Sequence, residues 1–347
     1  MDTKPPSPAA ETGPVASDAN APLNPPPSRQ LPFSKWAPVI AGALFGVFLR
    51  LIFSGGPGRN WAPMSVAFFY FVPFAVGAVT VYVAERTRRR SWGYYIGASA
   101  GATALFVLGT LLIMIEGMIC AVVIVPIFAV WGALGGLLMG IICRFTLRGT
   151  GAVYSIAALP LLLGMVPTDE SDRQLIGTIE RTIVVNASPE KIWHQLHHTT
   201  QIRPDEVDSA WMYKIGVPLP VAGVTHHTPA GPVRHVTMGK SIHFEQVAAA
   251  WQEHRHVRWS YRFSEDSFPA GALDDHVKIG GHYFDLLDTS YTLSPAGPQA
   301  TTLNITMRYR VSTQFNWYAE PLARWLIGNF EEVALRLYAQ RAEDGAD

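Results

Sequence analysis

The sequence predicts two architectures in tandem: an all-α, membrane-spanning bundle of four to five helices, then an α+β domain with an antiparallel sheet and a long C-terminal helix. Three observations carry this. Apolar, nearly charge-free runs fill residues 36–166, period-two alternation recurs between 179 and 311, and an apolar stripe at helical spacing closes the chain.

Composition sets the frame. Of 347 residues 49% are hydrophobic and only 16% charged, against roughly 25% charged in an ordinary soluble domain. The formal net charge is zero, so no global field favours a nucleic-acid partner. Cys120 and Cys143 both fall in apolar runs, which excludes a disulfide framework or a cysteine-based zinc site in the hydrophilic C-terminal part. Residues 1–34 are rich in Pro, Ala and Ser and cannot bury a core, so they are expected to be disordered. No apolar run directly follows a basic start, as a cleaved signal peptide would require.

Five apolar runs follow, at 36–53, 61–83, 93–115, 118–143 and 151–166. The first four are long enough for a ~30 Å hydrocarbon core at ~1.5 Å per residue. The fifth is short and contains Pro160, so it reads as a short span or a re-entrant segment. Lys4, Arg29 and Lys35 precede the first run, Arg86, Arg88, Arg89 and Arg90 lie between the second and third, and Arg144 and Arg148 follow the fourth. The positive-inside rule then puts the N-terminus in the cytoplasm. Four crossings would leave the C-terminal domain there too; five, the favoured count, would put it on the outer side. A bacterial inner membrane is the expected location. Gly132, Gly136 and Gly140 form small-xxx-small pairs suited to close helix packing. Arg50 and Glu116 both fall near the outer face, where they either pair across the bundle or separately reach water.

From about 168 the pattern changes. Ile179, Arg181, Ile183 and Val185 alternate with Glu180, Thr182 and Val184, a strand signal. Ser188-Pro189-Glu190 is a helix start, with Ile192, Trp193 and Leu196 as its apolar face. Strands are expected at 233–238, 243–247, 257–263, 283–293 and 303–311, with a hairpin turn at 294–299. Leu322, Leu326, Phe330, Val333 and Leu337 mark the buried stripe of the last helix, whose start Pro321 is expected to kink or to delay. Consecutive strands with helices at the ends indicate an α+β antiparallel sheet.

The run Thr182-Ile-Val-Val-Asn-Ala-Ser-Pro-Glu-Lys-Ile-Trp193 resembles the opening strand and helix of the START-like, or SRPBCC, superfamily. Further motifs resemble a membrane-anchored subgroup known as polyketide cyclase/dehydrase and lipid-transport-like. They are Glu116-Gly117-x-x-Cys120 with Pro126, Gly216-Val-Pro-Leu-Pro220, Gly239 through Glu245 with Val247 and Trp251, and Arg310 through Tyr318. The resemblance spans roughly Gly93 to Glu343. It implies a helix-grip fold, a curved sheet around one long helix, with lipid or other hydrophobic-ligand binding in the superfamily's general sense. Carriers, hydrolases, cyclases and sensors share that scaffold, so fold alone does not assign function.

Candidate site residues follow from polar groups at apolar positions. Asp285 shares a strand face with Tyr283 and Tyr291, Asn329 sits on the apolar stripe of the last helix, and Glu245 shares a face with Val247. A buried carboxylate or amide needs a hydrogen-bond partner or a wet cavity. These three are therefore cavity candidates, unless a β-bulge turns Asp285 outward and the other two serve structure. Trp259, Tyr261 and Trp325, with Tyr283, are candidate cavity aromatics; they would line the space or, with Phe263, plug it. His194, His197 and His198 on the first soluble helix and His226 and His227 in an expected loop match no metal signature, so no metal or cofactor is expected. The expected partners are the membrane and a lipid or small hydrophobic molecule. The alternatives are a cyclase- or dehydratase-type enzyme, for which no catalytic residue stands out, and a membrane scaffold.

Overall fold

The computed structural model describes Met1 and residues 35–56, 59–146, 150–166, 174–274 and 276–345. The expected disorder of 1–34 and the expected domain boundary at 168 fall outside these residues. The chain divides into a short unit, Met1–Trp36, and one large unit, Ala37–Asp347, which holds both the helices and the sheet.

Five apolar helices come first: α1 (Ala37–Ile52), α2 (Ala67–Glu85), α3 (Trp92–Leu112), α4 (Met118–Phe145) and α5 (Thr150–Gly164). Three of them, α2, α3 and α4, are long and apolar enough to cross a membrane. At ~1.5 Å per residue, α1 and α5 reach only about 24 and 22 Å. The first turn of α2, Ala67–Phe71, is π-helical. Ser91 caps α3 by accepting a hydrogen bond from the Tyr94 amide at 3.3 Å. The backbones of α2 and α4 meet where a Cβ on Gly77 would lie 1.9 Å from the Gly132 carbonyl oxygen, so only glycine permits that approach.

The second half is an eight-stranded, fully antiparallel sheet in the order β1-β8-β7-β6-β5-β4-β3-β2. Its strands are β1 (Leu175–Val185), β2 (His198–Thr199), β3 (Pro220–Thr228), β4 (Gly231–Met238), β5 (His243–Gln252), β6 (His256–Arg262), β7 (Phe284–Gly297) and β8 (Ala300–Val311). Three short helices, α6 (Pro189–His197), α7 (Pro204–Val207) and α8 (Trp211–Lys214), connect β1 to β3. The long α9 (Asn316–Asp344) lies in the curl of the sheet. This is the helix-grip architecture that the START-like motifs imply. Ile327, Ala334, Leu335 and Tyr338 of α9 join Ile179, Leu303, Ile305, Tyr291 and Trp259 in the main core.

Two local readings are corrected. His226 and His227 lie on β3, not in a loop, paired to Val233 and Pro232 of β4. Pro321 sits inside α9 instead of delaying it, because the helix already starts at Asn316.

The sheet domain and the helices touch through specific contacts. Phe315 stacks on Phe69 with ring centroids 3.6 Å apart. Gln314 Oε1 accepts from the Val66 amide at 2.6 Å, Trp317 donates to the Tyr70 hydroxyl at 2.6 Å, and the Tyr318 hydroxyl donates to the Val123 carbonyl at 2.6 Å. From the loop after β6, Asp274 Oδ2 accepts from the Cys120 amide at 3.0 Å, in the first turn of α4. A carboxylate there complements both the free amides and the positive end of the helix dipole. All these contacts fall at one end of the bundle. At the other end Arg144 donates to the Arg90 carbonyl at 2.9 Å and covers the Trp92 ring at 4.2 Å.

Candidate functional site

Between the sheet and α9 lies a cavity of about 340 Å³ that continues to the helices. This is within the roughly 300–1,000 Å³ range of small-molecule sites. Alternation along the strands decides which side chains reach it. On β4 the even residues Arg234, Val236 and Met238 face in; on β5, Phe244 and Gln246; on β6, Tyr261; on β7, Phe284, Leu286, Thr289 and Tyr291. Leu322, Leu326, Phe330, Val333 and Leu337, the predicted stripe of α9, form the facing wall. Further wall comes from α7, α8 and the segment before β7, through Val207, Met212, Tyr213 and Ile279, and from the bundle: Met64, Phe68 and Phe69 before and within α2, and Ile119, Val123, Ile124 and Phe128 of α4. The lining is therefore overwhelmingly apolar, and two halves of the chain share it.

Polar groups are few and segregated. Near the bundle, Arg50 Nε donates to Glu116 Oε1 at 2.6 Å, and Arg50 also donates to the Phe53 carbonyl at 2.6 Å. Glu116 and His276, 3.9 Å apart, line this end of the cavity. At the other end, among the sheet and α9, is Arg234, only 6% exposed. It donates to the Tyr338 hydroxyl at 3.0 Å and, weakly, to Gln246 Oε1 at 3.3 Å, while its Nε has no partner. Tyr261 shares a 2.6 Å hydrogen bond with Thr289 Oγ1, and burial pushes its pKa up to about 12, so it stays a neutral phenol. Just outside this end, His197 is buried with Nδ1 3.1 Å from Thr225 Oγ1. Burial, followed by the Arg234 charge, pushes its pKa down to about 3, so it too is neutral.

Of the seven candidate cavity residues, two line the cavity: Tyr261 and Tyr283. The other five lie elsewhere. Asp285 accepts from the Gly280 amide at 2.8 Å, because a bulge between Leu286 and Asp288 reverses the phase of β7. Upstream of the bulge the even residues face in; downstream the odd ones do. Glu245 sits between the inward Phe244 and Gln246, and its carboxylate meets Arg262 Nε at 2.7 Å and His235 at 3.5 Å on the outer face. Asn329 accepts from the Trp211 amide at 2.8 Å and so fixes the start of α8. Trp259 is fully buried, but against Trp251 and His197 within the main core. Trp325 is half exposed on the far side of α9, its ring centroid 5.7 Å from that of Trp211. Arg234, Gln246 and Tyr338 were not among the candidates. The signal for Arg234 was present, since it alternates in phase with Val236 and Met238. Among the described residues no group of three or more His, Cys, Asp or Glu side chains could hold a metal ion.

No protein-family model matches the chain, and no curated protein does. Solved structures similar to its C-terminal half include a START superfamily protein from Mycobacterium smegmatis, at 15% identity over 49% of this chain and 99% of that one, TM-score 0.34. The Zhui aromatase/cyclase from Streptomyces sp. R1128 is similar at 11% identity over 50% and 97%, TM-score 0.31. Norcoclaurine synthase from Thalictrum flavum is similar at 14% identity over 48% and 92%, TM-score 0.27. The fold assignment rests on the strand order and the gripped helix themselves.

Proposed function

We propose that this protein is anchored in a membrane by its helical half and takes up a lipid or other small hydrophobic molecule in the cavity under α9. The observation that carries this reading is the shared wall. Phe68, Phe69, Val123 and Phe128 of the apolar helices face the same space as Phe330, Leu326 and Tyr261 of the sheet domain. An apolar molecule could pass from the bilayer into the domain without crossing water. Transfer would be driven by burial of apolar surface, at ~25 cal/mol per Å² before the cost of ordering the ligand. The domain would stand on the membrane side opposite the Arg86–Arg90 loop, hence outside the cytoplasm by the positive-inside rule. Supporting this, its contacts to Val66, Cys120 and Val123 meet the bundle at the end away from Arg90 and Arg144.

The test is native mass spectrometry of the full chain released from lipid nanodiscs, beside the variant Ala323→Trp. Ala323 lines the cavity, and an indole there obstructs it. The reading predicts a stoichiometric apolar molecule on the parent protein and its loss in the variant. Equal, substoichiometric lipid on both proteins would contradict it.

A further inference from the structure

Arg234 is a buried cation without an anion. Among the described residues no carboxylate pairs with it. Its neighbours are the phenols of Tyr338, Tyr291 and Tyr261, the Gln246 amide and the neutral His197. Its guanidinium lies over Gly223, where a Cβ would come 2.5–2.8 Å from Nη2, Nε and Cζ; the missing side chain makes room for it. An arginine stays charged in a protein, and an unpaired buried charge is strongly destabilising. Arg234 lines the cavity, whose wall between it and the bundle is mainly apolar.

The position within the cavity matters as much as the charge. Tyr318 of α9 touches α4, and Tyr338 of α9 touches Arg234. Twenty residues of helix separate them, about 30 Å at ~1.5 Å per residue. The cation therefore stands at the end far from the bundle, with apolar wall in between. A chain-like ligand inserted tail-first would press hydrocarbon against an unpaired guanidinium. Inserted head-first, an anionic head would meet the guanidinium fork and the Tyr338 hydroxyl, which accepts from Arg234 and keeps its own proton to donate. The tail would then lie along α9 toward Phe128.

We propose that Arg234, with Tyr338 and Gln246, is an anion-recognition point for the carboxylate or phosphate head of a single-chain amphiphile bound head-inward. This deepens the uptake reading above and rests on it. The probes are dodecanoate, dodecyl phosphate and dodecanol, which share a tail and differ in head. Binding is measured on the full chain in nanodiscs by displacement of a fluorescent dodecyl probe.

The parent protein should bind both anions about tenfold or more tightly than the alcohol, the scale of a charge-assisted hydrogen bond. Arg234→Met should erase that preference while the alcohol still binds, which also shows that the variant folds. Should that variant not fold, Tyr338→Phe keeps the cation and should weaken the anions several-fold with the alcohol unchanged. Equal affinity of the parent for acid and alcohol would overturn the anion site but leave hydrophobic uptake standing. So would a preference that survives both Arg234→Met and Tyr338→Phe. Binding of none of the three would overturn both. Inorganic phosphate that displaces the anions at their own concentrations would assign the site to a free anion and overturn the amphiphile.

Discussion

Glu331 and His197 are the two side chains whose burial should be most visible in bulk behaviour. Glu331 is wholly buried beneath α9, and burial pushes its pKa from 4.5 up to about 8, with the charge of Arg181 pulling the other way. The folded state therefore holds a proton that the unfolded chain releases near pH 4.5, and stability falls as pH rises from there through about 8. His197 acts with the opposite sign. Its pKa falls from 6.5 to about 3, so the unfolded chain takes up a proton first and stability falls as pH drops through that range. Between pH 4.5 and 6.5 the two slopes cancel. Their joint contribution should be a plateau there, with losses of up to ~1.4 kcal/mol per pH unit on either side. Thermal unfolding across pH should show it, and Glu331→Gln should abolish the alkaline loss and turn the plateau into a rise with pH up to about 6.5, the uncompensated His197 slope. A variant that tracks the parent at every pH would contradict the assignment. Neither residue's burial is legible in sequence. Glu331-Glu332 reads as a solvated pair, because a helix in the curl of a sheet buries two stripes. The predicted stripe faces the cavity; the second, Ile327, Glu331, Ala334, Leu335 and Tyr338, packs toward the strands, with Ile327, Ala334 and Tyr338 also reaching the cavity.

Among the elements, the start of α4 shows how the two halves are fitted together. A Cβ on Gly117 would lie 1.5 Å from Asp274 Oδ1, the carboxylate that caps this helix. Gly117→Ala should expel Asp274 and cost about 1–2 kcal/mol, the range of a lost N-cap. The cost should not add to that of Asp274→Ala, since each removes the same contact. A double-mutant cycle in thermal stability checks this, and additive losses would refute the capping role. This contact is invisible in sequence, because 154 positions separate Cys120 from Asp274. The strands themselves were far more legible: alternation placed β1, β4, β6 and β8 within a few residues. What alternation could not give was phase. The bulge in β7 inserts one residue and sends Asp285 outward, so the face read through Tyr283, Asp285 and Tyr291 is not one face. The strand β3 went unread because Gly223 and paired histidines interrupt its apolar pattern.

The molecule as a whole joins apolar helices to a helix-grip domain across a common cavity wall. Composition revealed both halves, and the closing stripe of α9 pointed to the gripped helix. The route between them depends on contacts that no local pattern encodes, such as the Phe69–Phe315 stack and the Gln314 bond to Val66. In the proposed function a membrane lipid reaches the interior of the domain through this route. Photo-crosslinking tests it most directly. The full chain is placed in nanodiscs containing a lipid with a photoactivatable tail, irradiated, and the adducts are mapped by mass spectrometry. Adducts are expected on cavity residues such as Phe330, Leu326 and Tyr261, and their loss in Ala323→Trp. Adducts confined to the outward faces of the helices, at Leu105, Leu108 and Leu138, would contradict it.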